Sequence, residues 1–224
     1  MNLEIMHRPS YALAVVKLAS GESIRAQSGA MVSMSAGIRV QTQATGGIMK
    51  SLGRSLLGGE SFFQNIFQAP PEGGEITLAP HLPGDIETIH MTGESWMIQS
   101  GSFLASDPGI SLDTRISLKT FFAAEGLSIL EASGQGTLLV SSYGAIFERQ
   151  LAQGESYIVD TSHLVAFESR LQMETRTVGG LKSTLASGEG LVVQLTGPGR
   201  FLIQSRSPQA FIQWLIPHIP TSKE

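Results

Sequence analysis

A stretch of 22 residues occurs three times in this chain without a gap, and it constrains the fold more than any other feature. The copies run from Gly21 to Thr42, Gly93 to Thr114 and Gly154 to Thr175. Each opens with Gly-Glu-Ser and closes with Thr, although a further Gly59-Glu60-Ser61 lies outside the pattern. The fourth position is Ile24, Trp96 or Tyr157, and the sixth is Ala26, Ile98 or Val159. Positions eleven and twelve are apolar every time: Met31-Val32, Phe103-Leu104, Leu164-Val165. Near the end, Ile38, Ile110 and Leu171, then Val40, Leu112 and Met173, alternate with polar residues. Alternation with a period of two is the signature of a strand with one face in a core and one in water. The Gly-Glu-Ser triplet predicts a turn in which Gly takes positive φ and Ser bonds nearby backbone.

A second alignment follows each copy. Phe62 to Phe67 and Ile76 to Leu78 flank Pro70-Pro71-Glu72-Gly73-Gly74. Leu127 to Leu130 and Leu138 to Val140 flank Gly134-Gln135-Gly136. Leu191 to Leu195 and Phe201 to Ile203 flank Gly197-Pro198-Gly199. Short strands around Gly/Pro turns predict hairpins. The expectation is an all-β chain of three repeated sandwich-like or barrel-like units in a pseudo-threefold arrangement, spanning about 10–80, 81–144 and 145–206. One unit buries too little apolar surface to stand alone, so the three form a single domain around a shared core.

With 42% hydrophobic and 15% charged residues the chain is globular. Its net charge of −4 disfavours nucleic acid, whose binders gain affinity by neutralising phosphates. The absence of cysteine excludes disulfides and thiolate chemistry and fits a reducing compartment. Met1 to Pro9 has no apolar run behind a basic end, and no window approaches 18 apolar residues, so neither a signal peptide nor a membrane span is expected. Tyr11 to Leu18 reads as a buried strand entering the first copy.

Between the first copy and Phe62 lies Thr45 to Gly59, with glycine pairs at both ends. Ile48, Leu52 and Leu56 fall four apart beside Met49 and Leu57, while Lys50 and Arg54 share another face. This predicts a short amphipathic helix. It can cover the barrel's own core, meet another subunit or partner, or, least favoured, touch a membrane surface. These seven residues form the candidate interaction surface. Gly53 is followed by Arg54, out of register for a phosphate loop.

No catalytic signature is present. The five histidines are scattered singly, which argues against a metal site, and His163, aligned with Ala30 and Ser102, reads as a surface or hydrogen-bonded residue. No Gly-x-Ser-x-Gly elbow occurs, and a serine repeated three times fits a turn better than a nucleophile. Glu60, Glu125 and Glu189 precede the second-half strands and mark turns, or a polar axial cluster if they converge. No cofactor is expected. Ser207-Pro208 predicts a helix over 208–216, where Phe211, Ile212, Leu215 and Ile216 form i,i+4 pairs; it reads as packed on a sheet face first and as an exposed docking helix second.

The segments Gly58-Gly59-Glu60-Ser61-Phe62-Phe63-Gln64-Asn65, Leu78-Ala79-Pro80 with Pro83-Gly84-Asp85-Ile86, and Gly101 to Ser106 together resemble the altered-inheritance-of-mitochondria family, twenty-fourth member. The resemblance extends to the terminal Ser-Pro and tryptophan helix. It implies a fold similar to the tryptophan-RNA-binding attenuator protein, and eukaryotic relatives concerned with mitochondrial inner-membrane organisation. It carries over no catalytic residue. The expected role is a non-enzymatic scaffold or assembly factor, homo-oligomeric or bound to another protein, in a cytoplasmic setting. The alternative is a small-ligand-binding module with pockets between repeats.

Overall fold

The computed structural model describes residues 1–44, 63–114, 128–176 and 191–219. The described chain is mostly β-sheet with one short helix near the C-terminus. The candidate surface Ile48, Met49, Lys50, Leu52, Arg54, Leu56 and Leu57, and the carboxylates Glu60, Glu125 and Glu189, lie outside the described residues.

The first strands are β1 (Asn2–Met6), β2 (Leu13–Leu18), β3 (Ser23–Gln27), β4 (Met31–Met34), β5 (Arg39–Ala44), β6 (Phe63–Gln68) and β7 (Gly74–Leu78). Then come β8 (Ile86–Thr92), β9 (Trp96–Gln99), β10 (Phe103–Ser106), β11 (Ile110–Thr114) and the long β12 (Ile129–Ser141). The series ends with β13 (Ile146–Leu151), β14 (Ser156–Asp160), β15 (Leu164–Glu168), β16 (Gln172–Arg176), β17 (Val192–Thr196), β18 (Gly199–Gln204) and α1 (Pro208–Leu215).

All described ladders are antiparallel. β7 lies between β2 and β4, and β6 between β3 and β5. The C-terminal part of β12 lies between β8 and β10, and its N-terminal part between β9 and β11. β18 lies between β13 and β15, and β17 between β14 and β16. Alternation then sends inward-facing residues into three clusters. The first holds Ile24, Phe67, Ile76 and Leu78; the second Trp96, Ile98, Phe103 and Leu138; the third Leu164, Phe167, Val193 and Phe201, with Tyr157 packed on it.

The predicted hairpins do not form. β6 and β7 are not paired with each other, nor are β17 and β18; each glycine turn passes the chain from one sheet to another. Around Gly134-Gln135-Gly136 there is no turn at all, because β12 runs through as one 13-residue strand. The tight approach of neighbouring backbone explains this. A Cβ on Gly134 would sit 2.3 Å from the Gly109 carbonyl oxygen, so the glycine serves close contact rather than chain reversal. A strand the sequence did not suggest, β1, extends the first sheet beyond β2. β2 itself alternates, burying Ala14, Val16 and Leu18, and is not buried throughout.

The Gly-Glu-Ser triplets are turns, but the glutamate does the bonding. Glu22 accepts from Ala19 N at 2.8 Å, Glu94 from Thr92 N at 3.0 Å and Glu155 from Ala152 N at 2.8 Å. Gly21 and Gly154 adopt φ of +73° and +76°, the left-handed region that glycine enters without strain.

Two further ladders join these groups. Ala105 of β10 pairs with Ala26 of β3, and Ala166 of β15 with Ile98 of β9. A pseudo-threefold ring would need a third junction of β4 with β14. No such ladder occurs among the described residues, and the two strands are outer strands of separate sheets.

Candidate functional site

Three features outside the cores bear on function. The first is α1. Ser207 Oγ accepts from Ala210 N at 3.2 Å and Pro208 follows it, so the helix starts as the sequence predicts. A 3₁₀ turn continues it from Ile216 to His218. The expected packing is overturned: no residue of α1 is buried. Ile212, Trp214 and Ile216 are 52%, 61% and 60% exposed. Phe211 lies edge-on to Tyr143 at 5.8 Å, a contact with the body of the chain, and within the helix it stacks on Trp214 at 6.1 Å. Its apolar side chains are left to solvent.

The second feature is a cleft of about 290 Å³ at the base of α1. Gln27, Gln99 and Gln204 line it with His81, Tyr143 and Gln209, and no carboxylate is in its lining. The Gln204 amide is held at both its oxygen and its nitrogen. Gln204 Oε1 accepts from Tyr143 N at 2.8 Å and its Nε2 donates to Ser162 O at 2.9 Å. His163 Nδ1–H donates to Gln204 O at 2.7 Å, which makes His163 a hydrogen-bonded structural residue. A lining rich in amides and free of carboxylates suits an uncharged polar ligand. The sequence carried a signal for this cleft. Gln27, Gln99 and Asp160 share the seventh position of the 22-residue copies, always polar at the end of an alternating strand.

The third feature is ionic. Glu168, 3% exposed, accepts from Arg200 Nε at 2.8 Å and also from Arg170 Nε. Burial pushes the Glu168 carboxyl up, but the hydrogen bonds from Arg200 and Arg170 outweigh it and hold the group below the usual carboxylate range. The bond to Glu168 in turn raises Arg200. Elsewhere Arg8 grips the buried Asp85 with Nε at 2.8 Å and Nη2 at 3.0 Å, and reaches Glu87 at 2.7 Å. In both clusters arginine satisfies a buried carboxylate, so they read as structural. Among the described residues no group of three or more His, Asp or Glu is placed to hold a metal ion. No helix among them is long and apolar enough to cross a membrane.

Comparison with known proteins gives this architecture a family. The family model described as mitochondrial biogenesis AIM24 matches residues 3–206. The chain belongs to that family. The AIM24 match stops just before α1, so the helix lies beyond it. An uncharacterised protein of Streptococcus pyogenes serotype M6 is 30% identical over 99% of this chain and 92% of its own length. The altered inheritance of mitochondria protein 24 of Emericella nidulans is 26% identical over 73% of this chain but only 40% of its own. A crystal structure of a protein from Streptococcus pyogenes superposes with a TM-score of 0.80 at 27% identity, covering 97% of this chain and 99% of that one. The AIM24 membership therefore rests on the β portion.

Proposed function

We propose that this AIM24-family chain is a non-enzymatic scaffold or assembly factor that engages a protein partner through α1. It is built of three repeated β-sandwich units (about 10–80, 81–144 and 145–206) of an attenuator-protein-like kind and works in the cytoplasm. The observation that carries the reading is the helix itself: eight residues, none buried, with Ile212 and Trp214 facing water. Apolar side chains gathered on one exposed helix fit the groove of another protein better than they fit solvent.

Other observations support the repeat. The three middle strands β7, β12 and β18 recur between equivalent neighbours, and register shifts fall at Met31/Ser33, Phe103/Ala105 and Leu164/Ala166, the same positions of the three copies.

The test is paired capture from lysate with the wild-type chain and with Ile212→Asp or Trp214→Asp. A protein retained by the first and lost by both variants, at unchanged melting temperature, is expected. Identical retained sets would overturn the reading. The cleft favours a second reading, a small-ligand-binding module. A thermal-shift screen of uncharged polar metabolites then raises the melting temperature for some compound, and Gln204→Ala removes the shift.

A further inference from the structure

The strands β4, β10 and β15 occupy the same place in the three copies, yet their surroundings differ sharply. β10 and β15 are buried at every residue, because each is paired on both edges. β4 is exposed at every residue, with Met31, Val32 and Met34 at 41%, 58% and 40%. Its only described ladder is with β7. The same contrast holds for β3, β9 and β14. β3 accepts β10 on its outer edge and β9 accepts β15, whereas among the described residues β14 pairs with β17 alone and leaves Ile158 at 55% exposure. An apolar edge strand with its hydrogen-bonding groups open is a template for another strand.

We propose that β4 of one copy pairs antiparallel with β14 of a second copy of this chain, forming between molecules the junction that occurs twice within each. The two internal junctions give the register. Ala105 faces Ala26 and Ala166 faces Ile98, the thirteenth and sixth positions of the 22-residue copies in both cases. The same rule sets Ser33 against Val159 and Met34 against Ile158, so two exposed apolar side chains cover each other. One partner supplies β4 and the other β14, so the contact is head-to-tail and propagates until a ring closes. This deepens the scaffold reading and rests on it, but the two fail separately: capture through α1 and mass in solution are independent measurements.

The experiment is size-exclusion chromatography with light scattering on the full chain, wild type, Met34→Asp and Ile158→Asp, over a range of concentrations. Both altered residues are exposed, and circular dichroism with a melting curve checks that each variant folds. The wild type is expected at a multiple of 23.9 kDa. Each variant falls to the single-chain mass. Mixing the two restores a two-chain species and nothing larger, since one retains β14 and the other β4. A wild type of single-chain mass at every concentration would overturn the proposal. So would oligomers that persist in both variants, and so would variants that dissociate but fail to complement each other.

Discussion

Arg200 holds its guanidinium over the ring of Trp96, 5.2 Å from the centroid, while its Nε–H donates to the buried carboxylate of Glu168 at 2.8 Å. Trp96 and Glu168 face each other in the ladder between β9 and β15. One arginine from β18 therefore clamps both sides of the junction between the second and third cores. The corresponding position of the other copies is also polar and also bonds a neighbouring strand: Ser35 Oγ accepts from Glu75 N at 2.9 Å, and Asp107 Oδ2 from Thr137 N at 2.7 Å. The junction is thus fixed by a side chain that closes its end as well as by the ladder itself.

Stability is expected to fall on the acid side because of Glu168. Its folded pKa is depressed, so the stabilisation is present above the unfolded carboxylate value of about 4.3 and is lost as pH falls through the lower folded value. Glu168→Gln removes a charge-assisted bond whose arginine partners are partly exposed, and costs about 2 kcal/mol at neutral pH. Urea denaturation followed against pH checks both. The variant should show a shallower acid limb than the wild type, and an unchanged limb would assign the effect to other carboxylates.

Trp96→Ala is expected to cost about 3–5 kcal/mol, the usual loss for truncating a buried aromatic side chain. Trp96 is 1% exposed and contributes to the second core. Trp96→Phe keeps most of the apolar contact and loses less. Chemical denaturation ranks the two; equal losses would mean that the ring volume is not what matters.

The two tryptophans report separate environments. Iodide should quench Trp214, which is 61% exposed, and leave Trp96 emission nearly untouched. Trp214→Phe then abolishes the quenchable fraction without moving the melting temperature, because α1 buries no side chain. A quenchable signal remaining in that variant would place Trp96 nearer to solvent than the structure does.

Gly154 and Gly134 should respond differently to alanine. Gly154 has open space around a Cβ, so Gly154→Ala carries only the left-handed backbone strain, about 1–2 kcal/mol. At Gly134 a Cβ meets the Gly109 carbonyl oxygen at 2.3 Å, and the ladder between β11 and β12 must move. Gly134→Ala is expected to be clearly the more destabilising in a urea melt. The opposite order would contradict the close approach.

Arg8→Ala should loosen the start of the chain selectively. Arg8 bridges the β1–β2 connection to Asp85, which is 2% exposed, and Asp85 is left buried without its ion-pair partner. Hydrogen exchange is expected to quicken at Leu3 and Ile5 while amides of β9 and β12 keep their protection. Uniform quickening would mean that the pair supports the whole fold.

The period-two alternation from Ile24 to Ala26 and from Ile38 to Val40, repeated in the later copies, was enough to specify strands, and it gave the inward face at Ile24, Ala26 and Ile38 but not at Val40, which is 43% exposed. That follows because a strand's side chains must alternate whatever it pairs with. The Ser207-Pro208 helix start was equally local, since a cap acts within one turn. Pairing partners were not local. The glycine turns looked like hairpins because a turn fixes the bend and not the ladder, and only packed neighbours sent β6 and β7 into different sheets. Met31-Val32 and Phe103-Leu104 look alike in the sequence, yet one pair is exposed and the other buried. Burial is set by whether another strand arrives, and that is decided by the three-dimensional arrangement alone.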